Sequence, residues 1–338
     1  MNHRSGGPRS FNTVKRSNRD ERARRRGQCA KTLLAIFIVS FLLVLSVITL
    51  LVCNLAVGIY NRRQAQSGED GPNLNTPNLP GITYQMSTQK NDSVHAGEMI
   101  VVNGNYEYLF PQKDADQLQK LSAYRKTVNG EMPYEIKNEE TARLQKTAAE
   151  KLNELLTAYY KQTGVKLTVD HTYRTKEQQS ASGSAKVGHS EHHTGLVFSV
   201  LETTDAGDLD KLFEICHRYG FVQRYPEIKE KIDWTGVSNY GECLRYVGVA
   251  HATYMAQNDL CLEEYVGLLK KNHVSATGTD GKHLPIDTDG DGTANYAVYY
   301  VPKGATGDLT AVPIPNGIEY TVSGDNIGGF IVTVTLNP

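Results

Sequence analysis

Three aspartates and a glycine stand close together in "IDTDGDGTANY" (286–296): Asp287, Asp289, Asp291 and Gly292. Alternate carboxylates turned to one side, with a glycine permitting a sharp bend, open a calcium-binding loop. Its twelfth position is Val298 rather than a bidentate Glu, and a strand pattern rather than a helix follows. An Asp/Gly turn needs the same residue types, so a weak structural calcium site and a plain turn both stand at this point. Cys216, Cys243 and Cys261 are a second group able to react. Three thiols cannot all pair. Cys216 in "LFEICHRYGF" and Cys261 in "LCLEEYV" sit among helical apolar positions, as buried free thiols do.

Polar groups also interrupt three further segments: "TYRTKEQQ" (172–179), "GHSEHHTGLVFSV" (188–200) and "TGVSNYGECLRYVG" (235–248). In order and internal spacing they resemble motifs of the VanY-type D-alanyl-D-alanine carboxypeptidases, zinc D,D-peptidases that trim bacterial peptidoglycan stem peptides. Those motifs read G-Y-R-S-x-x-x-Q, S-x-H-x-x-G-x-A-x-D and T-G-x-x-x-E-P-W-H-x-R-Y-V-G. The likeness covers about residues 95–271.

The resemblance implies a zinc ion held by His and carboxylate ligands, with one position open for water. The metal would acidify that water while a nearby Glu moves the proton, and an Arg would pair with a carboxylate or with developing negative charge. The first zinc ligand matches His192, and the aspartate ligand falls on Ser199, a neutral hydroxyl. The general-base Glu falls on Tyr240, and the last zinc His on Cys243. Glu242 and Gly241 stand where the family has Trp and Pro, whereas Arg174 matches its arginine and Ser190 its substrate-side serine. His192 with Cys243 gives zinc two protein ligands, one short of the usual catalytic three. His193 and Glu242 are their immediate neighbours and, on extended segments, point the other way.

The implied metal site is therefore degenerate. The reading that follows is a catalytically impaired carboxypeptidase-like protein that binds peptidoglycan stem peptides or another wall-associated partner. The alternative is an active zinc D,D-carboxypeptidase with an unusual His–Cys site. His192 also reads as an ordinary cleft histidine and Cys243 as a half-buried strand cysteine. A thiolate–imidazolium pair of the two is a third reading.

Several elements must position these groups. "EMIVVN" (98–103) reads as a strand. Leu144, Ala148, Leu152, Leu155 and Tyr159 recur at helical spacing, predicting a helix over 139–161 capped by Asn138 and stopped by Gly164. Strands are expected at 165–170, 195–201 and 243–247, a helix at 208–219 and two helices between 249 and 271. Interspersed rather than alternating, they predict an α+β domain: a small, largely antiparallel sheet flanked by helices. Residues 295–336 read as three or four strands separated by turn residues.

Along the 338 residues the net charge of −1 hides an asymmetry: residues 1–31 hold ten Lys and Arg against Asp20 and Glu21. No residue from Thr32 to Tyr60 is charged. A run of that length exceeds the ~20 apolar residues that cross a bilayer and the 7–15 of a cleaved signal. The preceding basic flank keeps the N-terminus inside, giving a single-pass plasma-membrane protein with residues after 60 outside. A nucleic-acid role for the arginines is excluded by that context. The expected organisation is a basic tail (1–31), a transmembrane helix (32–60), a linker (61–82), a carboxypeptidase-like domain (83–272) and a β appendage (273–338). The resemblance implies a Gram-positive type of wall, since the anchored domain would face peptidoglycan directly.

Overall fold

The structure is a computed structural model that describes residues 79, 81–201, 207–272 and 283–336. The basic tail, the expected membrane helix and nearly all of the linker lie outside the described residues. Among those described, no helix is long and apolar enough to cross a membrane.

β1 (Tyr84–Lys90) is followed by the short α1 (Gln112–Ala115) and β2 (Leu118–Lys120). β3 (Glu135–Ile136) and β4 (Arg143–Gln145) lead into the long helix α2 (Lys146–Thr163), which β5 (Thr168–Val169) follows. The SEHH segment lies between α3 (Lys176–Ser182) and β6 (Val197–Ser199). Next come α4 (Gly207–Cys216), β7 (Phe221–Gln223), α5 (Lys229–Thr235) and β8 (Cys243–Tyr246). α6 (Val249–Gln257) and α7 (Leu262–Lys271) precede β9 (Leu284–Ile286) and β10 (Tyr296–Pro302). The last strands are β11 (Leu309–Pro315), β12 (Tyr320–Gly324) and β13 (Gly329–Thr335).

The central strands run β6–β8–β7, all antiparallel. A bridge between Val169 and Val200 extends them to β5, which pairs in parallel with β3. α2 covers this sheet because its apolar positions fall on one face: Ala148, Ala149, Leu152, Leu155, Leu156 and Tyr159 are buried. They join Val169, Leu196, Phe198, Phe221 and Leu244 in one apolar cluster. The helix starts later than its periodicity predicts. Residues 138–142 close a turn on the Asn138 carbonyl, and β4 pairs with β2, so Leu144 is buried as a strand residue. Sheet pairing overrides helical spacing there. The stop at Gly164 holds: its φ is +74°, and its N–H closes on the Tyr160 carbonyl at 2.8 Å.

Residues 98–103 are not a strand, which corrects the sequence expectation. Met99 to Val102 are fully buried, but side chains rather than a neighbouring strand take their carbonyls. Arg245 Nη2 donates to the carbonyls of Glu98 (2.7 Å) and Ile100 (3.2 Å), and Asn326 Nδ2 to that of Val101 (2.9 Å). Burial alone does not distinguish an extended segment from a paired strand.

The C-terminal strands pair in the order β12–β13–β10–β9, while β11 pairs with β1 over seven residues, from Tyr84↔Pro315 to Lys90↔Leu309. Leu284, Ile286, Val298, Tyr300 and Ile331 share an apolar cluster with Val247, with Met99 and Val101, and with residues of α6 and α7. The described residues all belong to one compact unit.

Candidate functional site

The pairing of β6 with β8 sets Ser199 directly opposite Cys243. Neither bonds the other through its backbone. Ser199 uses its N–H and C=O on His171 and Asp170, and Cys243 uses its own on Tyr240 and Arg224. This is the close, non-hydrogen-bonded kind of cross-strand pair, whose two side chains stand together on one face of the sheet.

His192 reaches that face from a single 3-10 turn, Glu191–Thr194. Thr194 Oγ1 closes the turn on the Glu191 carbonyl at 2.7 Å, and Gly195 leaves it at φ +68°. The left-handed backbone at Gly195 calls for glycine there, and an added Cβ would also push on the tip of the Leu118 side chain. His192 Nδ1 donates to the Thr172 carbonyl (2.8 Å) and His193 Nδ1 to the Arg174 carbonyl (2.8 Å), while the Arg174 N–H donates back to His192 (3.0 Å). The adjacent histidines thus clamp alternate carbonyls of the Thr-Tyr-Arg segment. His192 faces the cleft, and His193 packs on Phe110 with ring centroids 4.8 Å apart, the opposite orientation expected of it.

Arg174, Ser190, His192, Ser199, Tyr240 and Cys243 all line one cleft of about 670 Å³. Sequence reasoning missed two neighbours, Asp170 and His171. The His171 ring stands 6.1 Å from that of His192, with its Nε2 3.4 Å from Asp170 Oδ2, and Asp170 is ion-paired to Lys137 at 2.7 Å. Their position immediately before the Thr-Tyr-Arg segment was the available signal.

Electrostatics make the paired groups neutral. Burial pushes the His192 imidazole down to about 3, helped by the Arg174 charge. Burial pushes the Cys243 thiol up to about 12, with Glu242 adding to the rise. A thiolate–imidazolium pair would need both shifts reversed. With Nδ1–H held by Thr172, His192 keeps only Nε2 as a lone pair toward the cleft.

The donor set does not fit a catalytic zinc ion. Ser199 Oγ accepts the His171 N–H at 3.3 Å. Among the described residues, no three His, Cys, Asp or Glu ligand atoms in the cleft lie within 4.8 Å of one another. At the implied ligand positions one imidazole and one protonated thiol remain where three ligands are usual, although Asp170, His171 and Glu242 also line the cleft. Tyr240, at the position implied for the general base, is 42% exposed and has φ +80°, a strained conformation for a bulky side chain.

Arg174 is the cleft's cation. Its Nη1 reaches only neutral acceptors, Gln179 Oε1 at 3.3 Å and Ser184 Oγ at 3.5 Å. No carboxylate of a described residue makes an ion pair with it. Burial pulls its pKa below the ordinary value.

Behind the cleft lies a charge network that sequence reasoning missed. Buried Glu191 accepts Arg224 Nε at 2.9 Å and Arg245 Nη1, while Arg224 also holds Glu263 at 2.6 and 3.0 Å. Asn103 donates to the same Glu263 at 3.0 Å. Charged residues inside the apolar second and third segments were the sign of it.

Apart from the cleft, the carboxylates of Asp287, Asp289 and Asp291 lie within 4.8 Å of one another. Asp287 accepts the N–H groups of Asp289 (3.2 Å), Gly290 (2.7 Å) and Gly292 (2.8 Å), which lower its pKa. These are the bonds of an Asp/Gly turn.

The fold is of the mixed helix-and-sheet kind found in D,D-peptidases. No family model matches the sequence. The D-alanyl-D-alanine carboxypeptidase of Enterococcus faecium is 27% identical over 261 residues, spanning 74% of this chain and 79% of that protein. A D-alanyl-D-alanine carboxypeptidase of Enterococcus faecalis is 37% identical over 109 residues, covering 29% of this chain and only 40% of its own length. Among solved structures, the vancomycin-resistance D,D-dipeptidase VanXYg, bound to a D-Ala-D-Ala phosphinate analog, matches with a TM-score of 0.60 at 25% identity. That match covers 75% of this chain and 99% of VanXYg. The chain is a relative of the VanY-type D-alanyl-D-alanine carboxypeptidases.

Proposed function

We propose that the protein is a membrane-anchored, wall-facing relative of these carboxypeptidases that binds peptidoglycan stem peptides and hydrolyses them poorly or not at all. The observation that carries the proposal is the cleft itself. It keeps Arg174, a guanidinium with no carboxylate partner among the described residues, and holds Ser199, Tyr240 and Cys243 where the family needs a zinc ligand, a base and a second zinc ligand. The guanidinium fork would take a peptide's terminal carboxylate in two parallel hydrogen bonds. Ser190 and His171 border the same space and offer further hydrogen bonds to the peptide. Neutral His192, with one lone pair, can accept from a peptide N–H.

The test is metal analysis of the purified protein, together with D-alanine release from a stem pentapeptide and calorimetric binding of the same peptide. The expected outcome is little zinc, no release, and binding that weakens at least ~10-fold in Arg174→Ala. A second reading, an active zinc D,D-carboxypeptidase, is favoured by the names of the relatives. Stoichiometric zinc with chelator-sensitive D-alanine release would establish it and overturn the first.

Anchoring rests on the uncharged run from Thr32 to Tyr60 behind its arginines. A reporter fused after Pro338 should be active only outside the cytoplasm. Calcium at Asp287, Asp289 and Asp291 is a separate part of the proposal, supported by the proximity of the carboxylates. Millimolar calcium should raise the melting temperature, and Asp289→Ala should abolish the rise.

A further inference from the structure

Tyr240 falls at the position implied for the general base, and its backbone sets it apart. A φ of +80° is one that bulky side chains rarely adopt, whereas a glycine takes it without strain. Such conformations persist only where the surroundings over-determine them, and they gather at active sites and ligand clamps.

The surroundings here do hold it. The Tyr240 carbonyl accepts the Cys243 N–H at 3.1 Å, closing the turn that enters β8. The Gly241 N–H donates to Glu227 Oε1 at 3.3 Å, so both polar ends of the peptide unit after Tyr240 are engaged. Gln223 Nε2, from β7, donates to the next carbonyl, that of Gly241, at 2.9 Å. The Glu227 side chain also lies against this turn, since a Cβ added to Gly241 would come within 3.3 Å of it.

Held in this way, Tyr240 lines the cleft and stays 42% exposed. Its phenol acts electrostatically on the Arg174 guanidinium, as do Cys243 and Asp170. The hydroxyl therefore stands in the neighbourhood of the group assigned to the peptide's carboxylate. Among the described residues nothing hydrogen-bonds that hydroxyl.

An ionised carboxylate offers about four lone-pair positions, and the two parallel bonds of a guanidinium fork use only two of them. A glutamate at this position would set a like charge beside an incoming carboxylate. A phenol sets a hydrogen-bond donor there instead. We propose that Tyr240 is a binding residue for the peptide's terminal carboxylate, its hydroxyl donating to an oxygen lone pair that the Arg174 fork leaves free. The strained backbone aims the hydroxyl into the cleft. This inference rests on the reading of the cleft as a stem-peptide site and deepens it: two donors on one carboxylate select a free C-terminus over an amidated one.

The experiment is calorimetric titration of the full-length protein with a stem pentapeptide and with the same peptide amidated at its C-terminus. The parent should bind the free acid more tightly than the amide. Tyr240→Phe removes the hydroxyl and keeps the ring, so it should weaken binding of the free acid ~10-fold and leave the amide unchanged. Its melting temperature should match that of the parent, because the ring is partly exposed. Equal binding of the free acid by Tyr240→Phe and the parent overturns the proposal. So does an equal loss for acid and amide, which would show that the ring packs on the peptide without reading its terminus. No binding of either peptide by the parent would overturn the stem-peptide reading itself, and this inference with it.

Discussion

Ser199 and Cys243 stand side by side on adjacent strands, so two substitutions there act on one spot. A serine hydroxyl supplies no charge to a metal, and the thiol beside it is held protonated by burial. Restoring only one donor leaves the set short of three. The variant Ser199→Asp, Tyr240→Glu, Cys243→His should therefore retain close to one zinc per protein after desalting, while each single variant stays metal-poor. Groups that act as a unit are strongly non-additive. Metal analysis of the four proteins decides it, and equal zinc in any single variant and the triple would count against the argument. Tyr240 was identified by its place in the motif. Its strained backbone, with φ +80°, was not legible, because nothing local in "SNYGEC" requires it.

At the scale of elements, the short turn carrying His192 is held from behind by charge. Glu191 and both its arginine partners are at most 1% exposed in their side chains. Removing one member of such a buried set leaves uncompensated charge, a loss of about 3–5 kcal/mol. Glu191→Gln should reduce urea stability by that order and weaken stem-peptide binding along with it. A variant as stable as the parent would show that the network is dispensable. Leu155, fully buried on the inner face of α2, sets the comparison for the apolar core: Leu155→Ala should cost about 2–5 kcal/mol through the cavity it leaves. Helical spacing named Leu155 correctly, whereas the start of α2 was misjudged by several residues. Asn138 is an acceptable cap in isolation, but pairing of β4 with β2 reassigns the residues that follow it.

For the whole molecule, His251 ties α6 to α7 through Tyr265 and to β13 through Thr333. Burial pushes its pKa down to about 3. The unfolded chain takes up a proton near pH 6.5, which the folded chain refuses until about 3, so the unfolded state binds more protons across that window. Stability from this residue is present above about pH 6.5 and is lost on acidification at ~1.4 kcal/mol per pH unit. Asp114 and Glu98 have raised pKa values and oppose it, since the folded state keeps their protons longer. Comparing the parent with His251→Gln isolates the histidine: the stability gap between them should narrow as pH falls from 6.5 to 4.5. A gap independent of pH would refute the assignment.

Sequence alone determined which segments resemble a peptidase and in what order, because motif spacing is local and survives any placement of the chain. It also determined the apolar face of α2 and the stop at Gly164, since both follow from side-chain period and backbone freedom. Only the tertiary structure decided what those residues can do. Whether Ser199 stands beside Cys243 depends on strand register, and whether a thiol or an imidazole is charged depends on burial by distant segments. The buried run at 98–103 became a row of carbonyl acceptors because Arg245 and Asn326, both more than a hundred residues away, fold back onto it. β11 found its partner in β1, more than two hundred residues earlier. Such pairings are set by the free energy of the whole fold, and local residue preferences do not encode them.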